Sequence, residues 1–112
     1  MSVVGFDIGT FKSSIGIAKQ GGVEIIDNDY SDRITPTYVS FTNRQRFQGH
    51  AAKQQEITNF KNTISSFKRL LGRKFHDPQV QIEQQFTALR ISPANDDNIL
   101  FNVNIYLIFF IS

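Results

Sequence analysis

Val3-Val4-Gly5-Phe6-Asp7-Ile8-Gly9-Thr10 is an apolar, β-rich run that ends in a carboxylate, a glycine and a hydroxyl. Such a run reads as a strand over Val3 to Ile8 followed by a tight turn. The turn chemistry suits a metal-bound phosphate. Glycine lets backbone N–H groups approach phosphate oxygens, Thr10 adds a hydroxyl donor, and Asp7 can hold a magnesium ion through its waters. The hexapeptide Gly5 to Thr10 also suits an ordinary β-turn, because Asp and Gly tolerate turn geometry. Gly-x-x-x-x-Gly-Lys-Ser/Thr is absent, as is Gly-x-Gly-x-x-Gly, so neither a P-loop nor a dinucleotide fingerprint is present.

Working outward, Ser13 to Lys19 and Val23 to Ile26 are further short apolar runs, giving three strands joined as hairpins. The second hairpin turns at Gly21-Gly22, where adjacent positive φ angles cost glycine no Cβ clash. Asn28 to Pro36 reads as a loop, Thr37 to Phe41 as a fourth strand, and Asn43 to Gln45 as a turn. Phe47 fits a short return strand, and Gly49 to Gln55 a short helical segment. From Asn59 the period changes: Phe60, Ile64, Phe67 and Leu71 recur at helical spacing, which predicts an amphipathic helix over Thr63 to Leu71. Asn62 or Thr63 would cap it, and Gly72 would close it. Beyond Asp77-Pro78 a polar stretch to Gln85 precedes expected strands over Phe86 to Ile91 and Ile99 to Tyr106, linked by the turn-rich Ser92 to Asn98. Leu107 to Ile111 is uniformly apolar.

The whole chain has 112 residues, 40% hydrophobic and 20% charged, which bounds it to one small domain and excludes disorder throughout. Twelve basic and ten acidic side chains leave a formal charge of +2, so charge gives no reason to expect nucleic acid. No cysteine is present, which excludes disulfides and thiolate metal sites. The N-terminus lacks the pattern of a secretory signal. The apolar stretch from Ile99 to Ile111 is interrupted by Asn102 and Asn104 and is shorter than the ~20 residues of a spanning helix, so no membrane contact is expected. His50 and His76 share no face with a second ligand and read as surface histidines. Among the eleven phenylalanines, Phe6, Phe60 and Phe67 fall in apolar registers that point to a core, not to stacking on bases.

Lys68 has two readings. From the predicted helix its ammonium could reach a γ-phosphate or an attacking water and stabilise negative charge. From the residues alone the simpler reading is preferred: the negative end of a helix dipole favours Lys68, Arg69, Arg73 and Lys74 by ~0.3–1 kcal/mol, so they need no catalytic explanation.

The opening Ser2-Val3-Val4-Gly5-Phe6-Asp7-Ile8-Gly9-Thr10, the run Gly21-Gly22-Val23-Glu24-Ile25-Ile26 and the loop Asp29-Tyr30-Ser31-Asp32-Arg33-Ile34-Thr35-Pro36 resemble, in order and spacing, the start of the heat-shock protein 70 superfamily. So do Gly49-His50-Ala51-Ala52-Lys53-Gln54-Gln55 and the block from Asn62 through Phe67-Lys68-Arg69-Leu70-Leu71-Gly72 to Asp77-Pro78. The Ser-Val-Val-Gly opening, the Tyr-Ser-Asp-Arg loop and the Phe before Lys68 resemble the heat-shock protein 110 branch more than the seventy-kilodalton members. The similarity fades after Pro78.

The resemblance implies an α/β fold: a partial, incomplete actin-like (ribonuclease H-like) ATPase lobe with a mixed sheet and one or two helices. Residues 1–106 would form the N-terminal part of that lobe and 107–112 a divergent apolar tail, the chain being expected to stop before the lobe is complete. ATP or ADP with Mg2+ would be the ligand. Asp7, Gly9 and Thr10 match the family's first phosphate loop, with Asp7 reaching the metal through water. Lys68 matches the lysine that helps position the attacking water. Phe11 and Lys12 depart from the pattern, standing where seventy-kilodalton members carry a second threonine and a tyrosine, so binding and hydrolysis are separate expectations and the chain by itself is expected to have little or no ATPase activity. The implied role is an ATP-binding chaperone or nucleotide exchange cochaperone in the cytoplasm or nucleus, whose partners are seventy-kilodalton chaperones and unfolded clients. Two other readings stay open: a sugar-kinase-like phosphotransferase lobe, which shares the Asp-x-Gly-Thr turn, and a non-enzymatic interaction module pairing through an open sheet edge.

Overall fold

The computed structural model of the chain describes residues 3–87, 90–103 and 107–111. Strand β1 (Val3–Ile8) pairs antiparallel with β2 (Lys12–Lys19), which turns back into β3 (Gly22–Ile25). Lys19 lies opposite Gly22, so the hairpin loop is Gln20-Gly21, and positive φ falls on Gly21 (104°) and Gly22 (148°). Adjacent positive φ is what the glycine pair implied, although the turn centre lies one residue earlier. The loop expected to run through Pro36 ends sooner: Thr35–Pro36 forms β4, laid against Lys12 and Ser13 of β2.

Strand β5 (Tyr38–Phe41) pairs with β6 (Arg46–Gln48) on one side and β7 (Thr63–Ser65) on the other. The short helix α1 (His50–Lys53) follows β6, as the sequence indicates. The helix predicted over Thr63 to Leu71 does not form. In its place stand a 3-10 turn (Phe60–Asn62), strand β7, and a second 3-10 turn (Phe67–Leu70). Pairing won over periodicity. β7 adds a third strand to the β5 sheet, and the buried Ser40 and Thr63 hydroxyls bond at 2.8 Å across it. Ser66, at φ 56° and ψ 20°, then breaks the path in a left-handed conformation. Asn62 is consequently the last residue of a 3-10 turn and not an α-helix cap, while Gly72 does adopt positive φ, at 74°.

A second helix, α2 (Pro78–Gln84), occupies the stretch read only as polar. Its start is locally encoded: the Asp77 side chain accepts the Gln79 N–H at 2.8 Å, and proline takes the first turn, where its missing N–H costs nothing. Strands β8 (Arg90–Pro93), β9 (Ile99–Asn102) and β10 (Leu107–Ile111) make a third antiparallel sheet. β8 thus starts later than the expected strand at Phe86, which lies exposed after α2. The expected strand from Ile99 is found to Asn102, and its continuation through Asn104 to Tyr106 lies outside the described residues. The α/β class with two helices stands; the single mixed sheet does not. Three sheets replace it, and every pair among the described residues is antiparallel.

The core joins β7, α2 and the third sheet: Ile64, Leu70, Val80, Ile91, Ile99, Phe101 and Val103 are buried together, with Phe41, Phe67 and Phe75 packed against them. Of the three phenylalanines expected inside, Phe67 meets this core, but Phe6 and Phe60 are exposed. Phe6 fails because all six residues of β1 are solvent-exposed on both faces of the strand. No helix among the described residues is long and apolar enough to cross a membrane.

Candidate functional site

The turn after β1 is closed by the Gly9 N–H, which donates to the Lys12 carbonyl at 3.0 Å. A Cβ on residue 9 would stand 2.7 Å from that same carbonyl oxygen, closer than real contacts allow. Glycine is therefore required at this position by space. Thr10 is half-buried, and Asp7 is exposed at the penultimate position of the strand, opposite Ser14 in register. Of the three residues singled out in the sequence, Gly9 and Thr10 lie on the turn and Asp7 lies at the end of the strand that enters it.

Lys68 comes to this turn from a distance of 60 residues in sequence. Its ammonium donates to the carbonyl oxygen of Ile8, between Asp7 and Gly9. The approach depends on the left-handed Ser66, which turns the chain out of β7 and into the 3-10 turn that carries Lys68. A turn of four residues has no long helix whose dipole could account for the cation, so the dipole explanation for Lys68 and Arg69 loses its basis. An ammonium has three donors; with one on Ile8, two remain for an anion. Arg69 instead pairs with Glu83 at 3.5 Å, and Arg73 with Asp77 at 3.3 Å.

The donor set can be tested against magnesium. Among the described residues no group of three His, Cys, Asp or Glu side chains could hold a metal ion. One exposed carboxylate beside a lysine suits a magnesium that keeps most of its waters and is carried by phosphate oxygens, as this ion prefers, and does not suit a cage of protein ligands. His50 and His76 are engaged elsewhere: His50 Nε2 lies 3.3 Å from an Asp32 carboxylate oxygen, and His76 Nδ1 lies 2.6 Å from Asp97. Burial opposes ionisation of Asp97, but the His76 backbone N–H and ring, helped by Lys74, outweigh it and hold the Asp97 carboxyl below its ordinary value.

A cleft of about 320 Å³ adjoins the turn, lined by Phe11, Tyr38, Phe60, Arg69 and Phe101 among others. Asp7, Gly9, Thr10 and Lys68 are not among its lining residues. Burial, and then the hydrogen bond that Tyr38 donates to Glu56, raise the Tyr38 pKa.

Sequence reasoning passed over the braces of the turn. The Thr37 N–H donates to the Phe11 carbonyl at 3.0 Å, and the Thr37 and Ser13 hydroxyls bond at 2.8 Å. The available signal was a hydroxyl residue directly after Pro36, read only as the start of a strand. Ser66 was passed over too, since a left-handed serine leaves no mark in hydrophobic periodicity.

Residues 3–107 match the family described as Hsp70 protein. The chain is 50% identical over 99 residues to the 97 kDa heat shock protein of Strongylocentrotus purpuratus, covering 88% of this chain and 11% of the relative. It is 48% identical over 99 residues to heat shock protein 110 of Caenorhabditis elegans, covering 88% of this chain and 13% of the relative. It is 52% identical over 84 residues to heat shock 70 kDa protein 4L of Homo sapiens, covering 75% of this chain and 10% of the relative. The chain therefore spans about a tenth of the length of these curated relatives.

Proposed function

This chain belongs to the Hsp70 protein family, with relatives of the 110 kDa type, and from that premise we propose that it supplies the first phosphate-contacting edge of an actin-like, ATP-binding lobe in a chaperone or nucleotide exchange cochaperone. In this reading Gly9 closes the turn with its own N–H on the Lys12 carbonyl, the Thr10 backbone and hydroxyl donate to phosphate oxygens, and Asp7 holds the magnesium through its waters. Lys68 offsets phosphate charge with the donors that Ile8 leaves free. Seventy-kilodalton chaperones and unfolded clients are the partners of such a protein. The relatives named above are all heat-shock proteins, which supports this reading over a sugar kinase.

One observation carries the proposal: the Lys68 ammonium reaches the Ile8 carbonyl, so a cation and a carboxylate far apart in sequence flank one glycine turn.

The test is a titration of MgATP into the nitrogen-labelled chain, followed by amide NMR. Millimolar binding is expected, with shifts centred on Gly9, Thr10 and Lys12, because one turn and one lysine offer few of the contacts that tight nucleotide binding needs. EDTA should abolish the shifts, Asp7→Asn should remove their magnesium dependence, and Lys68→Ala should weaken them. Shifts that avoid the turn, or that ignore both substitutions, would refute the assignment.

A further inference from the structure

We infer that Thr37 is a positioning residue for the phosphate-facing turn, acting through a hydroxyl bond to Ser13 that fixes the plane of the Phe11–Lys12 peptide; this rests on the reading of that turn as a nucleotide contact. The turn between β1 and β2 has two ends to control. Its near end is fixed by Gly9, whose N–H takes the Lys12 carbonyl. Its far side is fixed by Thr37, whose N–H takes the Phe11 carbonyl at 3.0 Å. A trans peptide sends its C=O and the following N–H in opposite directions. Holding the Phe11 carbonyl toward Thr37 therefore points the Lys12 N–H away from Thr37. The Lys12 nitrogen lies 4.0 Å from where a Cβ on Gly9 would stand, within the closed turn. Orientation of that N–H, one of the few donors such a turn can offer an anion, is thus set from outside the turn.

Thr37 can do this because it is itself held. It is 8% exposed and sits between β4 and β5, with no strand pairing of its own. Its hydroxyl bonds Ser13, which is in register with both Ile8 of β1 and Thr35 of β4. One hydroxyl pair therefore ties the 35–37 segment to the strand that leaves the turn. Around it, Lys12 pairs with Pro36, whose ring cannot donate a ladder bond, so the brace falls to the residues on either side. Asn28 adds a second tie, its side-chain N–H₂ donating to the Thr35 hydroxyl at 2.9 Å.

Thr37→Val keeps the shape and removes the hydroxyl, whereas Thr37→Ser keeps the hydroxyl. Two measurements on the full chain separate positioning from bulk stability. In the nucleotide-free chain, hydrogen exchange of the residue-37 amide reports the bond to Phe11; it should accelerate about fivefold in Thr37→Val, the worth of one ordinary hydrogen bond, and recover in Thr37→Ser. MgATP affinity, read from the Gly9 and Thr10 amide shifts well below the unfolding temperature, should weaken by a similar factor in Thr37→Val and recover in Thr37→Ser. Equal exchange in wild type and Thr37→Val, or Thr37→Ser behaving as Thr37→Val, would overturn the inference. So would unchanged MgATP affinity in Thr37→Val. A wild-type chain without MgATP shifts at the turn would overturn the nucleotide reading, and with it the positioning role, while the exchange measurement would still decide whether the brace exists.

Discussion

The sheet of β1, β2 and β3 and the packed unit of β7, α2, β8 and β9 are built from similar residues and end in opposite environments. Val3, Val4, Phe6, Ile8 and Val23 in the first are all exposed, Val23 at 74% and Phe6 at 70%. Val80 and Ile99 in the second are 0% exposed. Apolar composition thus does not locate the core. What separates the two regions is whether another layer lies over the sheet: α2 and the 67–70 turn pack with β8 and β9, whereas among the described residues none buries a side chain of β1. The first sheet is held by its backbone ladder, by the Thr35 to Thr37 brace and by Lys68, and the candidate site sits at its end. A site on a ladder with a few ties is placed by hydrogen bonds more than by packing.

The largest effect should come from the packed region. Ile99→Ala removes a fully buried side chain and should cost about 2–5 kcal/mol in urea denaturation. Phe6→Ala, a larger truncation on β1, should change stability by less than ~0.5 kcal/mol. A Phe6→Ala cost equal to that of Ile99→Ala would dissolve the contrast.

Gly9→Ala should come next, at about 1–3 kcal/mol, because its Cβ meets the Lys12 carbonyl and the turn must open. Thermal unfolding with amide NMR should show the change confined to β1, β2 and the turn. An unaffected melting temperature would mean that the turn is softer than its geometry implies.

Asp77→Ala deletes the cap of α2 and should cost ~1 kcal/mol, whereas Asp77→Asn should retain most of it. Circular dichroism melts of the two variants would show whether the helix over the core is locally secured.

The smallest effect is pH-dependent and exposed. The Asp97 carboxyl is held below its ordinary value, so its contribution is present above that value and is lost as pH falls through the folded one. Asp97→Asn should therefore lower stability slightly at neutral pH, leave it unchanged once the pH is below the folded value, and so flatten the acid limb of stability against pH. An unaltered acid limb would remove the His76 contact from the account.

Local chemistry was legible wherever the chain punctuates itself. The first three strands, the glycine hairpin, the Asn43 to Gln45 turn and the short helix at His50 follow from alternation and turn residues read over a few positions. The start of α2 was equally local, since Asp77-Pro78 is a cap and a first-turn proline, and it was missed because the residues after it are polar. The helix over Thr63 to Leu71 failed for a different reason. Its periodic apolar set was real, but Ile64 is buried in a strand and Leu70, not Leu71, enters the core. For the candidate site, the sequence marked Asp7, Gly9, Thr10 and Lys68 by residue type and resemblance, but nothing local joined the lysine to the turn.

By itself, the sequence determined the strand and turn that carry Asp7 and Gly9, and through its motifs it pointed to the family, because turn geometry and strand alternation are written within a few residues. Only the tertiary structure decided that residues 63–65 pair as a strand, that Ser66 turns left-handed, and that Lys68 and Thr37 reach the Ile8 and Phe11 carbonyls that bracket the turn. The reason is physical: pairing with β5 supplies hydrogen bonds that an isolated segment cannot count, and contacts across 60 residues exist only once the sheets have assembled.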